Sequence, residues 1–248
     1  MENALLIGLS RQMSLHREID VVANNIANLN TTGFKGDNAI FEEYLMPNAR
    51  EGQFAGRDSR VSFVQDRSTW HDMSQGAMQQ TGSPLDVAVD GNAFFVLQTP
   101  KGERYTRNGA FQINANGELV TTEGYQVLSE SGPIVFQNED KSINISREGT
   151  IAVPGGIRGK LRLVTFANGQ QLQKDGSSTF LAPNGVQPEA AQNATVVQGA
   201  LEKSNVRAVV EMTRMIEITR SYTSVAGLLQ QQGEMRKSAI EKLADVPA

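Results

Sequence analysis

The sequence predicts an α+β fold in which N- and C-terminal helices pair as a coiled coil, with an all-β domain of many short strands inserted between them. Three observations carry this expectation. Apolar side chains recur at helical spacing through the first segment of the chain. The stretch from Ser204 to about Leu243 contains no proline. The interval between these segments is dense in Asn-Gly and Asp-Gly pairs, the strongest short-range hairpin signal.

Residues 1–35 form the first element. Leu5, Leu9 and Met13 stand four apart, and Ile19, Val22, Ile26 and Leu29 continue at three, four and three. Arg11, Arg17, Glu18 and Asp20 fill the other faces. Gly33, after Thr31-Thr32, is expected to stop the helix in a left-handed turn. Residues 36–80 read as an extended connector with one or two short strands, around FEEYL and RVSFVQ.

Residues 81–182 read as the β-rich outer domain. LDVAV and AFFVLQT flank Asp90-Gly91, while RYTR and AFQI flank Asn108-Gly109, so a hairpin is expected at each. Asn116-Gly117, Asn168-Gly169 and Asn184-Gly185 repeat the signal. Residues 183–199 are read as a return linker, and residues 200–248 as the C-terminal helix. Ser204-Asn205 offers N-cap chemistry there, with Ser204 as the cap. Val209, Met212, Ile216 and Thr219 supply its stripe, which Leu229, Ile240 and Leu243 extend more weakly. The entropy of ordering either terminal helix exceeds what its own apolar face returns. The two are expected to pack on each other and on further copies of the chain.

Composition narrows the function. The 248 residues are 39% apolar, with a net charge of −4 and no basic block, which argues against nucleic acid as a partner. The absence of cysteine excludes disulfides, zinc-thiolate sites and thiol catalysis. The opening MENALLIGLSRQMSLHREID lacks the basic n-region of a signal peptide. No apolar run approaches the roughly 20 residues of a membrane span, so a membrane-embedded protein is not expected.

Catalytic and cofactor constellations do not emerge. His16 and His71 stand outside any metal-ligand spacing, and GGIRGKL at 155–161 has the wrong glycine spacing for a phosphate loop. Glu42-Glu43 and Glu139-Asp140 are adjacent pairs, which cannot straddle a glycosidic bond by adjacency alone. A wall-binding module would need an aromatic platform, and only Phe94, Phe95 and Tyr105 offer one. No catalytic, metal or cofactor site is expected.

The most unusual stretch is ANNIANLNTTGFKGD, residues 23–37. Asparagine is a poor helix former, yet Asn24, Asn25 and Asn28 close the first helix. Two readings stand. The amides cap their own backbone, or Asn24 and Asn28, on one face, form a polar seam that fixes register against neighbouring helices. Phe34 is then an anchor against the connector or a neighbour, or simply core.

Four blocks in order, ANNIANLNTTGFK at 23–35, TGSPLDVAVDGNAFFVL at 81–97, YTRNGAFQINANGELVTTEGYQVL at 105–128 and ALEKSNVRAVVEMTRMIEITRSY at 200–222, resemble the bacterial flagellar rod and hook family. Lys203 and Thr213-Arg214 depart from that family's common pattern. The resemblance implies a structural subunit of the basal-body rod, a helical tube that crosses the periplasm and transmits torque. The length and short connector resemble a proximal-rod subunit, with a distal-rod subunit as the alternative. Implied partners are further copies of the chain, other rod proteins and the flagellar type III export apparatus. Implied interface residues are Leu5, Leu9, Ile19, Val22 and Ile26 with Val209, Met212 and Ile216. Asn24, Asn25, Asn28, Phe34 and Asn205 join them.

Overall fold

A computed structural model describes residues 2–46, 61–137, 139–140, 142–176 and 178–244, with backbone alone at 2–5, 41–46, 61–68 and 243–244. Two terminal helices flank a many-stranded β region, as the spacing predicts. The chain divides into two units. One gathers the helices and the strand pair that follows the first of them; the other holds residues 27–36 and 71–207.

In the helical unit, α1 spans Glu2–Ala27 and α2 spans Ala208–Ala244. Leu15, Val22 and Ile218 are buried together, with Ile19, Ile26, Met215, Tyr222 and Val225 packed around them. The α1 members fall four, three and four apart, and the α2 members three, four and three, which is coiled-coil spacing. Leu229 lies against Gly8, the His16 ring meets Tyr222 edge-on, and Asn25 reaches Glu211, so the helices run antiparallel. A Cβ on Gly8 would come within 2.5 Å of Leu229 Cδ2, so the glycine admits a close approach.

The pairing stripe of α2 is displaced from the one its sequence suggests. Val209, Met212 and Ile216 are exposed, and Met215, Ile218, Tyr222 and Val225 take the buried side. The helix carries two apolar stripes, and periodicity alone does not say which of them meets α1. Its start also differs. Helix begins at Ala208, and Ser204 Oγ accepts from Val206 N–H at 3.3 Å, ahead of the first turn. At the other end α1 stops at Ala27, before Leu29, and Gly33 closes a later turn in which Phe34 N–H donates to Thr31. The strand pair β1 (Asp37–Met46) and β2 (Val61–His71) is longer than the short strands expected there. Glu42 and Glu43 fall where side chains are not described.

The β unit is organised around β5 (Phe94–Thr99), after β3 (Met78–Gln80) and β4 (Val87–Asp90). β5 pairs with β6 (Gly102–Thr106) and β9 (Gln126–Ser129), and β9 leads on to β8 (Leu119–Thr121) and β7 (Phe111–Ile113). Both faces of β5 are buried. Phe95 and Leu97 enter one core cluster with Val87, Phe111, Leu119 and Ile151, while Phe94 and Val96 enter another with Tyr105, Phe166 and Phe180. The unbroken apolar run AFFVL follows from this two-sided burial.

Asp90-Gly91 and Asn108-Gly109 do not make hairpins. β4 pairs with Thr195–Gln198, not with β5, and β6 pairs with β5, not with β7. Asp90-Gly91 carries the chain from one sheet to another, and Asn108-Gly109 joins two strands of one sheet that are not neighbours in it. Asn116-Gly117 does close a hairpin, between β7 and β8, with Gly117 at φ 81°. Asn168 caps a short 3₁₀ turn, and Gly185 sits in a loop turn at φ 97°. Gly91, Gly117 and Gly185 share a positive φ, which Gly109 and Gly169 do not have, and strand pairing is decided elsewhere. Within 183–199, Glu189–Ala190 and Thr195–Gln198 are strands, so this return path is itself paired.

Candidate functional site

Each unit contains one feature that asks for an explanation: an uncovered apolar face in the helical unit, and a buried charge cluster in the β unit.

On α1, Leu6, Leu9 and Met13 are half or more exposed, and on α2 so are Val209, Met212 and Ile216, Val209 at 78%. Both sets follow three- and four-residue spacing on a face away from the paired stripe. Contiguous exposed apolar side chains, unlike scattered ones, mark an interaction surface. The α1 stripe opens on a groove of about 470 Å³ lined by Leu9, Gln12, Met13, His16, Arg17, Asp20 and Tyr222.

The inner side of the same helices is tied by polar contacts. Asn25 is buried and bonds the backbone of Asp37 in both directions, accepting from Asp37 N–H at 2.9 Å and donating to its carbonyl at 2.8 Å. The same amide donates to Glu211 Oε2 at 3.3 Å. Arg214 donates to Glu18 at 2.9 Å and to Asn38 Oδ1 at 3.0 Å, joining α2 to α1 and β1. The helix ends on amides because one of them, Asn25, bonds both backbone groups of Asp37 where the chain turns back. Asn28 accepts from the Thr31 hydroxyl at 3.0 Å, a local turn contact, while Asn24 is exposed.

In the β unit, Lys35, Arg107 and Glu202 are almost entirely enclosed. Lys35 Nζ donates to Glu202 Oε1 at 2.6 Å and to the Ser74 carbonyl at 2.5 Å. Arg107 donates to Glu202 Oε2 at 3.2 Å and to the Gly91 carbonyl at 2.6 Å, and its guanidinium lies over Phe94. Gly76 N–H also donates to Glu202 Oε1, at 2.8 Å. One carboxylate thus serves two buried cations. Burial pushes the Lys35 ammonium below its ordinary pKa, and Arg107 adds to this, while Glu202 opposes it. Burial likewise lowers Arg107 against the pull of Glu202.

The segments entering and leaving this unit lie side by side. Gly33 N–H donates to the Glu202 carbonyl at 2.8 Å, and Asn205 accepts from Gly36 N–H at 2.8 Å while donating to Asp72 and Ser74. Gly33 has φ 68°, and a Cβ there would fall 2.4 Å from Asn108 N, so no other residue fits. Phe34 is buried beneath Lys174, whose Nζ is 3.9 Å from the ring centre.

The residues read from sequence therefore separate. Val22 is buried and Ile19 and Ile26 half-buried in the helix pair, with Asn25 beside them. Phe34 and Asn205 belong to the β unit. Leu9, Val209, Met212 and Ile216 point outward, and Leu5 lies outside the residues whose side chains are described. Lys35, Arg107 and Glu202 escape sequence reading because nothing in a lone charged residue announces burial. The available signal was that GFK, YTRNG and ALEK, three of the blocks quoted above, each contribute one of them. Phe94, Phe95 and Tyr105 are buried in the core and form no surface platform.

Comparison with known proteins gives a consistent pattern. The sequence profile described as flagella basal body rod protein matches residues 5–35. The flagellar hook protein FlgE/F/G D1 domain matches 88–153, and the flagellar basal body rod FlgEFG protein C-terminal region matches 197–242. The flagellar basal-body rod protein FlgF of Caulobacter vibrioides is 39% identical over 99% of this chain and 100% of its own length. FlgF of Mesorhizobium japonicum is 32% identical over 98% of each chain. FlgG of Bacillus subtilis, also a basal-body rod protein, is 30% identical over 97% of this chain and 98% of its own.

Proposed function

The chain belongs to the flagellar basal-body rod protein family, and from that premise we propose that it is a structural subunit of the rod, joining its proximal part through the outer faces of α1 and α2. The observation that carries this reading is the pair of exposed apolar stripes, Leu6–Leu9–Met13 and Val209–Met212–Ile216. A helix pair whose described core is the small cluster around Leu15, Val22 and Ile218 gains further cohesion from neighbours. The neighbours are copies of the chain and other rod subunits, and the role is mechanical, with no catalytic step. The 39% identity to FlgF of Caulobacter vibrioides, against 30% to FlgG of Bacillus subtilis, supports the proximal position over the distal one.

The chain reaches the rod through the flagellar type III export apparatus, and Asn24 and Asn28 help set register between neighbouring subunits. The loosely covered helical unit supports export in an unfolded form, with α1 and α2 completing their packing at the growing tip.

Purified basal bodies test the reading. The tagged chain should co-purify with rods, and the Val209→Ser, Met212→Ser, Ile216→Ser triple variant should be made and exported yet missing from them. A parent chain absent from basal bodies would overturn the proposal. Accumulation inside cells that lack a working export apparatus tests the route separately.

A further inference from the structure

We propose that Asn205 is a three-way clasp. By holding the segments at residues 36, 72 and 205 together, it makes the chain passages that attach the β unit yield jointly under load instead of one at a time. The inference rests on the rod-subunit reading, which supplies the load. It gives Asn205 a positioning role within one chain, where the sequence implies a contact with a neighbour.

The chain passes between the two units at residues 26–27, 36–37, 70–71 and 207–208. Just inside the β unit, three of these passages lie side by side. Segments 33–36 and 202–205 run in the same direction. Gly33 N–H donates to the Glu202 carbonyl at 2.8 Å, and Asn205 N–H donates to the Phe34 carbonyl at 3.4 Å. Residues 72–80 run opposite to both. Asp72 N–H donates to the Gly36 carbonyl at 2.8 Å, and Ala200–Glu202 pairs antiparallel with β3. Gly36, Asp72 and Asn205 therefore stand at one end of this braid, the end where all three segments cross the boundary of the unit.

The Asn205 side chain joins all three. Its Oδ1 accepts from Gly36 N–H at 2.8 Å, and its Nδ2 donates to the Asp72 carbonyl at 2.8 Å. The same Nδ2 meets the Ser74 carbonyl at 3.1 Å and the Ser74 hydroxyl at 3.2 Å. Of the neutral side chains this short, only an amide combines one acceptor with two donors. Segments that leave from the same end peel, because a pull on one breaks its bonds in succession from that end. A tie at the leading end passes the pull to the other two. Deeper in the braid, the Glu202 carboxylate holds Lys35 and Gly76 N–H, so a buried ion pair backs the clasp.

The full chain contains no cysteine, so Ala115→Cys and Arg207→Cys, both at exposed positions, supply handles for single-molecule pulling across the exit passage. The parent should unfold in one event. Asn205→Ala should add an earlier, weaker event as the residues after Leu201 detach, with the main event following. Asn205→Asp keeps the shape and the Gly36 bond but loses both donors, so it should peel too and serves where the alanine variant does not fold. Without load, Gly36 N–H should exchange with solvent roughly ten-fold faster in Asn205→Ala and at the parental rate in Asn205→Asp. A single event at the parental force in both variants would overturn the proposal. So would a weaker main event matched by a lower urea midpoint with no early step, since that is ordinary loss of stability. Neither readout involves assembly, so a failure here is separate from absence of the parent chain from basal bodies, which would sink the rod-subunit reading.

Discussion

The two units of this chain handle burial in opposite ways. The β unit encloses even its charges: Lys35, Arg107 and Glu202 are shut away from water, and the carboxylate meets donors from three segments. The helical unit leaves valine, methionine and isoleucine in water. Leaving an apolar side chain exposed is tolerable, whereas leaving a buried charge without its counterion is not. The β unit is therefore complete within a single chain, and the helical unit is built to be finished by others.

The sharpest way to break this contrast is Glu202→Ala. Two buried cations would lose their shared carboxylate, at a cost of about 3–5 kcal/mol. Urea unfolding of the β unit should move to much lower denaturant; an unchanged midpoint would mean that water already reaches the cluster. Gly33→Ala should come next. A left-handed φ of 68° alone costs about 1–3 kcal/mol in a non-glycine residue, and the clash with the Asn108 backbone adds to it. Thermal melting would register the loss, and a melt matching that of the parent would contradict the close approach.

On the helical unit, Val209→Ser or Met212→Ser should alter monomer stability by no more than about 0.5 kcal/mol while weakening assembly. A large drop in the monomer's helical signal would show that these residues already pack within the chain. The smallest expected effect is a pH dependence. Because burial lowers the Lys35 pKa, the unfolded chain binds a proton that the folded chain releases between that lowered value and the usual 10.5. The stability contributed there rises with pH and is lost as pH falls through the folded value. The unfolding free energy of the parent should therefore gain on that of Lys35→Met as pH rises toward 10.5, and a flat difference would argue against the lowering.

What the sequence revealed follows the range of each physical signal. Helix existence is a local, periodic property, and both helices fall close to where spacing puts them. Which of two apolar stripes on α2 turns inward depends on α1, and the sequence of α2 does not contain that information. Asp90-Gly91, Asn116-Gly117 and Asn184-Gly185 do place a glycine in left-handed backbone, whereas Asn108-Gly109 and Asn168-Gly169 do not, and whether Asp90-Gly91 joins partners or changes sheets is settled by Thr195–Gln198, far along the chain. Asn25 and Asn24 are indistinguishable in composition, yet one closes a backbone gap and the other faces outward. The charge cluster draws on three distant segments, so no window of sequence could display it.

That distance has a consequence in time. Glu202 lies 167 residues beyond Lys35 and 95 beyond Arg107. Contacts of such separation form late, because a long loop must close before they return any energy. A chain emerging N-terminus first holds both cations without their anion until four-fifths of its length has appeared. The contact that completes the charge cluster is thus among the late ones that synthesis makes possible, and until then both cations are without their carboxylate.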